Sequence, residues 1–534
     1  MLITDLLRQN AQQYPDESSL VSIDTKKLTL DLPGSYESCR RSLTWKEFDD
    51  MANRVANFLL HNGIRKGCKV GVMMMNRLEY LPLFFGILRA GGVSTQINFR
   101  YRPSELIHAA ALTDVEVLFF DSSSQDTIAA ARPSLPQLHT CIALDSAACD
   151  FALPWQKVLE APANDPGIKL DRADDAAIYF SSGTTGAPKA VVHSHGTVEA
   201  ACILEQSNHH QVHDDVFLLI PPLYHMGGKF HWIGNLLCGA GCVLMLGFRS
   251  DVFFEVLRRE KVSITFLLLP WIQDLLAALD NGCCTVPESG FPNWRLLHTG
   301  AQPIPPIVIQ RVQTYFPHLE CQISYGLTES GGPGCLNLSG DHMDKLGSIG
   351  RSGPGWQAKV VNAQGETLPP DTSGELWIRS DHMMSRYYKD PVSTEKALAG
   401  GWLHTGDVAR MDRDGFFYID GRMKDVIISG GENVYPVPIE DFLRKHPAVK
   451  DAAVFGICDC RMGEIVVAKV CLTEPGACTA DELLEFCQSL PKFERPRKIF
   501  LGDIPRNPTG KIDKKALRKQ YSPQHPFQNK IHMK

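Results

Sequence analysis

The chain has 534 residues and carries 54 Lys and Arg against 60 Asp and Glu, for a net charge of −6. This length exceeds the usual size of one hydrophobic core and predicts at least two domains. The acidic balance argues against a nucleic-acid-binding protein, which needs a basic surface for phosphate contacts. With 44% hydrophobic and 21% charged residues, the composition is that of a folded globular protein.

The cysteines and the apolar runs indicate the cellular location of the chain and whether it spans a membrane. Sixteen cysteines are scattered along the chain, with no CxxC spacing and no secretory signal at the N-terminus. This pattern predicts reduced thiols, no cysteine-based metal site and a cytoplasmic location. The longest apolar run, residues 264–272, is too short to cross a bilayer, so we expect no integral membrane segment.

The first half of the chain alternates strand and helix patterns. Thr44 and Glu47 form a capping box before a helix that ends near Gly63, and a strand at 69–74 and a helix at 79–90 follow. Further short apolar runs lie at 115–120, 176–180, 216–220, 262–269, 295–298 and 321–324. This alternation predicts an α/β fold of mainly parallel sheets covered by helices.

The pattern changes after about residue 345. Closely spaced short strands, such as 374–379 and 416–419, are divided by Gly, Asp and Pro turns and predict a β-rich subdomain. From residue 434 the pattern becomes α+β, with helices at 439–445 and 481–490 and strands at 452–456 and 465–472. We therefore expect a large N-terminal domain followed by a small α+β domain.

One glycine-rich loop has the composition of a phosphate-binding loop. Residues 181–189 read SSGTTGAPK, between the strand-like runs AIYF and AVVH. The glycines allow the backbone to approach an anion closely, the hydroxyls add donors, and Lys189 adds positive charge. It is not a Walker A sequence, because no GK[ST] follows the glycines, and by itself it could also be an ordinary Ser/Thr/Gly turn.

This loop and seven further motifs occur in the order found in the adenylate-forming superfamily of acyl-CoA synthetases, firefly luciferases and peptide-synthetase adenylation domains. The motifs are PPLYHMGG (221–228), TGAQP (299–303), YGLTE (325–329), GELWIRS (374–380), GWLHTGD (401–407), GRMKDVIISGGENVYP (421–436) and PRNPTGKI (505–512). The resemblance covers residues 40 to 520. It implies an acyl-CoA ligase that uses MgATP to couple a carboxylic acid to AMP and then transfers the acyl group to coenzyme A.

The resemblance also implies roles in the chemical step. A carboxylate is a poor electrophile, and coupling it to AMP supplies a better leaving group. Lys511 resembles the lysine that bridges the carboxylate and the α-phosphate, offsetting the charge between them. Glu329 resembles the Mg²⁺ ligand, Thr328 the hydroxyl donor to the α-phosphate, and His225 a residue lining the carboxylate pocket.

Nucleotide contacts follow in the same way. Thr184 is implied to help hold the metal and the departing pyrophosphate, within a phosphate-binding set of Ser181, Ser182, Gly183, Thr184, Thr185, Gly186 and Lys189. Tyr325 is implied to stack on the adenine. The opposite face of the base is implied to be formed by Gly300, Ala301 and Gln302, and the ribose hydroxyls to be bound by Asp407 and Arg422.

The resemblance places a hinge near Lys424 and so divides the chain into an AMP-binding domain, residues 1–422, and a small mobile domain, residues 423–534. Rotation of the small domain would bring Gly430 and Gly431 against the pantetheine of CoA, where close approach is required.

We expect Lys229 and His231 to be surface groups. If they instead faced the pocket, a polar or doubly charged acid would be indicated.

Three matters stay open at this point. The acid is a medium- or long-chain fatty acid by first preference and an aryl acid by second. The acceptor could instead be a carrier protein or the activity a luciferase-like oxygenation, although the chain ends soon after PTGK and has no appended carrier domain; a catalytically dead binding protein is a further alternative. The oligomeric state is undetermined, with a homodimer among the options.

Overall fold

The computed structural model describes residues 1–145, 149–181, 188–338, 343–506 and 511–521. These residues contain 26 β-strands and 17 α-helices. The strands are β1 Ser18–Ile23, β2 Arg40–Thr44, β3 Lys69–Met73, β4 Val93–Gln96, β5 Val115–Phe120, β6 Thr140–Ala143, β7 Leu153–Pro154, β8 Asp175–Ser181, β9 Lys189–Ser194, β10 Val216–Leu219, β11 Gly241–Met245, β12 Ile264–Leu267, β13 Leu296–Gly300, β14 Glu320–Leu327, β15 Gly332–Leu338, β16 Arg351–Ser352, β17 Gln357–Val361, β18 Gly374–Arg379, β19 Arg386–Tyr387, β20 Leu403–Met411, β21 Phe417–Arg422, β22 Ile427–Ser429, β23 Glu432–Val434, β24 Val449–Asp459, β25 Gly463–Leu472 and β26 Lys498–Leu501.

The helices vary from one turn to nearly five turns. They are α1 Ile3–Gln13, α2 Ser35–Cys39, α3 Trp45–His61, α4 Tyr80–Arg89, α5 Pro103–Thr113, α6 Gln125–Ala131, α7 Gln156–Leu159, α8 His195–His209, α9 Met226–Ile233, α10 Asn235–Cys238, α11 Ser250–Arg259, α12 Leu269–Asp280, α13 Pro306–Tyr315, α14 Pro391–Ala397, α15 Pro436–Leu443, α16 Ala480–Phe486 and α17 Lys514–Tyr521. Within the described ranges, no helix has both the length and the apolar character that crossing a membrane requires.

Two compact units make up the chain. The first contains Met1–Ile304, Val308–Ala358 and Ile378–His404, and the second contains Pro305–Ile307, Lys359–Trp377 and the chain from Thr405 onward. Apart from those around Pro305–Ile307, the boundaries fall inside β17, β18 and β20, and all lie earlier in the chain than the predicted division at residue 422. The predicted hinge near Lys424 concerns a movement and stays a prediction.

The first unit is built on two large sheets. One has nine strands in the order β16-β15-β14-β13-β12-β10-β11-β1-β2, and the other has eight in the order β19-β9-β8-β4-β3-β5-β6-β7. The central pairs, such as β12 with β13 and β3 with β5, are parallel, whereas antiparallel pairs lie toward the edges. The predicted α/β architecture with mainly parallel sheets is confirmed.

Alternation along the strands explains how helices cover both faces of each sheet. On β10, Phe217 and Leu219 belong to a core shared with α3, α4, α8 and α9, whereas Leu218 belongs to a second core shared with α11 and α12. The shared core also contains β3 and β5 side chains of the other sheet, while α5 and α6 cover that sheet's far face. Successive side chains of a strand point to opposite faces, so buried strands read as continuous apolar runs.

The capping box that begins α3 is present as predicted. The Thr44 side chain accepts a hydrogen bond from the backbone N–H of Glu47, and the Glu47 side chain accepts one from the N–H of Thr44. The helix ends at His61, two residues before Gly63. Local capping chemistry and apolar spacing are therefore sufficient to place this helix.

The second unit contains most of the four-stranded sheet β17-β18-β20-β21 and a mixed sheet in which β23, β22, β25 and β24 are neighbours and β26 pairs with β25. In the mixed sheet, Val454 and Val466 face a core shared with α15 and α16. Phe455 and Val467 face α17 on the opposite side. The β-rich segment and the α+β segment predicted from the sequence are both found.

Candidate active site

The predicted phosphate-binding loop joins two antiparallel strands. Ser181 ends β8 and Lys189 begins β9, and the two residues are paired across the ladder. Ser182, Gly183, Thr184, Thr185 and Gly186 lie outside the described residues. The hairpin therefore fixes the two ends of the loop on one edge region of the eight-stranded sheet.

Next to this hairpin, a tyrosine joins two of the predicted site residues. The Lys189 Nζ lies 4.4 Å from the centre of the Tyr387 ring, and the Tyr387 hydroxyl donates to Glu329 Oε1 at 3.0 Å. Strand β19 holds Tyr387 opposite Val191 of β9. The structure thus brings Lys189 and Glu329 to the two ends of one side chain. No local sequence pattern indicates the role of Tyr387, because its partners lie 58 and nearly 200 residues away.

A buried histidine supports the turn that follows β14. The His193 ring Nε2 lies 2.9 Å from the Thr328 carbonyl oxygen, and burial lowers the pKa of His193 to about 4. The ring is therefore neutral at physiological pH and donates Nε2–H to the carbonyl. The backbone N–H of Met384 also donates to the Glu329 carbonyl at 2.8 Å. These bonds hold the backbone on which Thr328 and Glu329 are carried.

The predicted adenine-binding residues lie at the carboxyl ends of β13 and β14. Gly300 pairs with Ser324, one residue before the buried Tyr325, and a side chain at position 300 would lie 2.5 Å from the Ser324 carbonyl. Ala301 follows with a left-handed φ of 65° and is exposed, and Gln302 is half-buried. A backbone turn without side-chain bulk therefore sits beside the tyrosine, as a flat base requires.

His225 stands at the start of α9. Its backbone is extended and its N–H donates to the Pro222 carbonyl at 3.0 Å. Asn76 holds the same turn, because its side-chain amide donates to the Pro221 carbonyl and its oxygen accepts from the Leu223 N–H. The PPLYH turn is thus fixed from two sides, and the half-buried His225 is carried at its end.

In the second unit, the two predicted ribose-binding residues are ion-paired. Asp407 on β20 and Arg422 on β21 are partners in the ladder, and the Arg422 Nε lies 2.5 Å from the Asp407 Oδ1. The Asp407 side chain is 4% exposed and the Arg422 side chain is 33% exposed. The two side chains therefore form an ion pair whose carboxylate is nearly buried.

Lys424 lies two residues beyond this pair in a short 3₁₀ turn. Gly430 and Gly431 form the turn of the hairpin between β22 and β23, with left-handed φ values of 61° and 89°. This turn conformation alone favours glycine at both positions. Lys511 is exposed, and the bridge between Arg506 and Ile512 places it at the base of its loop.

The expectation that Lys229 and His231 are surface groups is wrong. Lys229 is fully buried and His231 is 5% exposed. The Lys229 Nζ donates to Gln96 Oε1 at 3.0 Å and lies 3.7 Å from the centre of the Phe84 ring, and burial lowers its pKa well below the usual value. Helix α9 is buried on all sides, so both residues, which point in different directions, enter the interior.

Comparisons with known proteins agree with this architecture. Residues 7–388 match the family described as AMP-binding enzyme, and residues 438–511 match its C-terminal domain. The long-chain-fatty-acid–CoA ligase FadD13 of Mycobacterium tuberculosis is 33% identical over 488 residues, covering 90% of this chain and 93% of that protein. The 2-succinylbenzoate–CoA ligase of Bacillus cereus is 31% identical over 483 residues, covering 89% and 93%.

A solved structure shows the same fold. The Mycobacterium tuberculosis fatty acyl CoA synthetase superimposes with a TM-score of 0.76 at 30% identity, covering 98% of each chain. The chain therefore belongs to the AMP-binding enzyme family, and the resemblance seen in its ordered motifs is confirmed.

Proposed function

We propose that the chain is an AMP-forming acyl-CoA ligase. A carboxylate oxygen of the acid attacks the α-phosphorus of ATP, the bond from that phosphorus to the pyrophosphate oxygen breaks, and an acyl adenylate forms. The sulfur of CoA then attacks the acyl carbon, its proton is released, and AMP leaves. The observation that carries the proposal is the arrangement of Lys189, Tyr387 and Glu329 at the base of the glycine-rich loop.

The residues present fit a magnesium ion. Tyr387 engages only Oε1 of Glu329, and no hydrogen bond from the described residues reaches Oε2. A half-buried carboxylate with one unengaged oxygen suits a hard cation that keeps most of its waters. When bound, the ion neutralises charge on the phosphate oxygens. Thr184 is proposed as the second protein contact to it.

The remaining roles follow from the need to bring two anions together, the carboxylate of the acid and the α-phosphate of ATP. Lys511 is proposed to offset the charge between the acid and the α-phosphate, with Thr328 donating to the same phosphate. The base would stack on Tyr325 against Gly300 and Ala301. The ribose hydroxyls would be bound by Asp407, which is ion-paired with Arg422.

We propose a class of compounds for the acid and a single compound, CoA, for the acceptor. The long-chain-fatty-acid ligase and the 2-succinylbenzoate ligase among the relatives support an acid with a substantial apolar portion, aliphatic or aryl. CoA is the acceptor named for both relatives. A cytoplasmic location fits the sixteen cysteines, which all lie in described residues and form no disulfide there.

Acid-dependent exchange of labelled pyrophosphate into ATP tests the first half-reaction. The purified chain is incubated with MgATP and a panel of straight-chain and aryl acids, and CoA is then added while AMP and thioester are measured. The proposal predicts exchange with at least one class of acid and stoichiometric AMP and thioester after CoA. Absence of exchange with every acid, or release of ADP, would refute it.

A further inference from the structure

A buried polar cluster lies in the first unit behind β13 and β14. It comprises Glu205 and His209 of α8, His231 of α9, and His298 of β13, each at most 5% exposed. None of these side chains belongs to the motifs that carry the proposed chemistry. The cluster ends on Ser324, the residue before Tyr325.

Polar contacts connect Ser324 through two histidine rings to Glu205. The Ser324 hydroxyl lies 2.5 Å from His298 Nε2, and His298 Nδ1 lies 3.0 Å from His209 Nε2. The His209 Nδ1 faces the Glu205 carboxyl group at 3.4 Å. The His298 ring therefore bonds at both of its nitrogens, and the His209 ring bonds at Nε2 while its Nδ1 faces the Glu205 carboxyl group.

Burial makes the cluster uncharged near neutral pH. It lowers the pKa of His209 to about 4 and the pKa of His231 to about 3. It raises the pKa of Glu205 to about 8, against the opposing effect of His209. A ligand group that meets this cluster should accordingly be polar and uncharged.

One nitrogen of the cluster is left over. The hydrogen bond of the His231 ring to Glu205 is made at Nδ1, at 3.3 Å, and no described residue bonds to Nε2. A methyl group at Gly227 would lie 3.6 Å from this Nε2, and no other non-adjacent side chain of the described residues, and no backbone outside its own helix, would lie within 4 Å of it. The glycine therefore leaves space in front of the unpartnered nitrogen.

We propose that the acid activated by this enzyme bears a hydroxyl group that hydrogen-bonds to His231 Nε2. The inference rests on the proposed ligase function and names its substrate class. A hydroxyl both donates and accepts, so it suits either tautomer of the ring, whereas a methylene at the same place leaves a buried nitrogen unsatisfied. Glu205 acts as a positioning residue, because its carboxyl group fixes the ring through Nδ1.

A metal ion is the competing occupant, because ligand atoms of His209, His231 and His298 lie within 4.8 Å of one another. Two of these rings already bond to each other, and the His231 and His298 rings pack edge to face with centres 4.2 Å apart. Rings that share a metal point their nitrogens at one centre, which this packing does not resemble. The arrangement favours a hydrogen-bonding organic group.

The test compares acids matched in carbon skeleton. Octanoate is compared with 3-hydroxy- and 8-hydroxyoctanoate, and benzoate and cinnamate with their ring-hydroxylated forms, by pyrophosphate exchange. We expect kcat/KM for one hydroxylated acid to exceed that of its parent by about tenfold or more, since an unsatisfied buried polar group costs about that factor. Exchange in which every parent acid is used as well as its hydroxylated form would overturn the inference while leaving the ligase function standing. Absence of exchange with every acid would refute both.

Variants locate the preference. His231→Leu removes the nitrogen, and Gly227→Ala fills the space in front of it. In each variant, kcat/KM for the hydroxylated acid should fall to about that of its parent acid. His195→Leu is the matched control. Like His231, His195 is a buried histidine, but it lies on α8 and neither of its ring nitrogens has a hydrogen bond in the structure. Gly227→Ala favours the helix, so it reports on the site even if His231→Leu does not fold. A preference unchanged in Gly227→Ala, or one equivalent of tightly bound metal in the wild-type protein, would overturn the proposal.

Discussion

Replacing Tyr387 by Phe removes one hydroxyl from the proposed magnesium site. That hydroxyl donates to Glu329 Oε1 at 3.0 Å, and the side chain is 8% exposed. A hydrogen bond to a charged acceptor contributes about 1.5 to 3 kcal/mol, which corresponds to roughly 10- to 150-fold in an equilibrium constant. The ring beneath Lys189 Nζ is kept, so the cation–π contact persists. The change should therefore act on the orientation of Glu329 alone.

The assay is pyrophosphate exchange at a series of Mg²⁺ concentrations with ATP and acid saturating. We expect Tyr387→Phe to raise the Mg²⁺ concentration for half-maximal rate by about 10- to 100-fold, as removal of partners of metal-binding groups commonly does. Tyr388→Phe is the matched control, because the neighbouring hydroxyl donates instead to Asp114 at 3.0 Å. Equal Mg²⁺ dependence in wild type and both variants would show that Tyr387 does not position Glu329 for the metal.

Three further results are expected. In a urea titration, Gly331→Ala should lower the free energy of unfolding by about 3 kcal/mol through left-handed strain and overpacking. The φ of Gly331 is 76°, and the new methyl would lie 1.7 Å from the His382 carbonyl. The control Gly282→Ala, with a φ of 67° and open space around it, should lose only about 1 kcal/mol. Asp215→Asn should reduce stability at pH 7 and should cost progressively less as the pH is lowered. Burial tends to raise the pKa of Asp215, but the hydrogen bonds from Arg295 and Ser263 outweigh it and lower that pKa. The stabilisation is therefore present above the unfolded pKa and is lost as pH falls through the folded value, so a pH-independent difference would contradict this. Lys511→Ala should reduce pyrophosphate exchange by about a hundredfold or more with an unchanged melting temperature, because the side chain is exposed; a variant with wild-type exchange would contradict the role.

Much of the fold follows from local sequence. The Thr44 capping box, the apolar run that became β5 and the GELWIR segment that became β18 each carry their signal within a few residues. Strand and helix alternation then indicated parallel sheets, since parallel strands need crossover connections. The bounds of such helices and strands depend on residues that are close in the sequence, so one sequence is enough to predict them.

What was missed depends on neighbours in space. Tyr387 meets Glu329 across 58 residues, and His193 meets Thr328 across 135. Lys229 and His231 were assigned to the surface because charged and polar residues are usually exposed. Their burial follows from α9 being enclosed on every side, where Gln96 and Glu205 supply hydrogen-bond partners from distant elements.

Following one acid through both half-reactions tests the ligase function directly. Wild-type protein is mixed with MgATP and an acid that supports pyrophosphate exchange, CoA is added, and acyl adenylate, AMP and thioester are quantified by mass spectrometry. An AMP-forming ligase accumulates adenylate before CoA is added and then forms AMP and acyl-CoA in equal amounts. Thioester formed with ADP, or adenylate that CoA does not consume, would contradict this function.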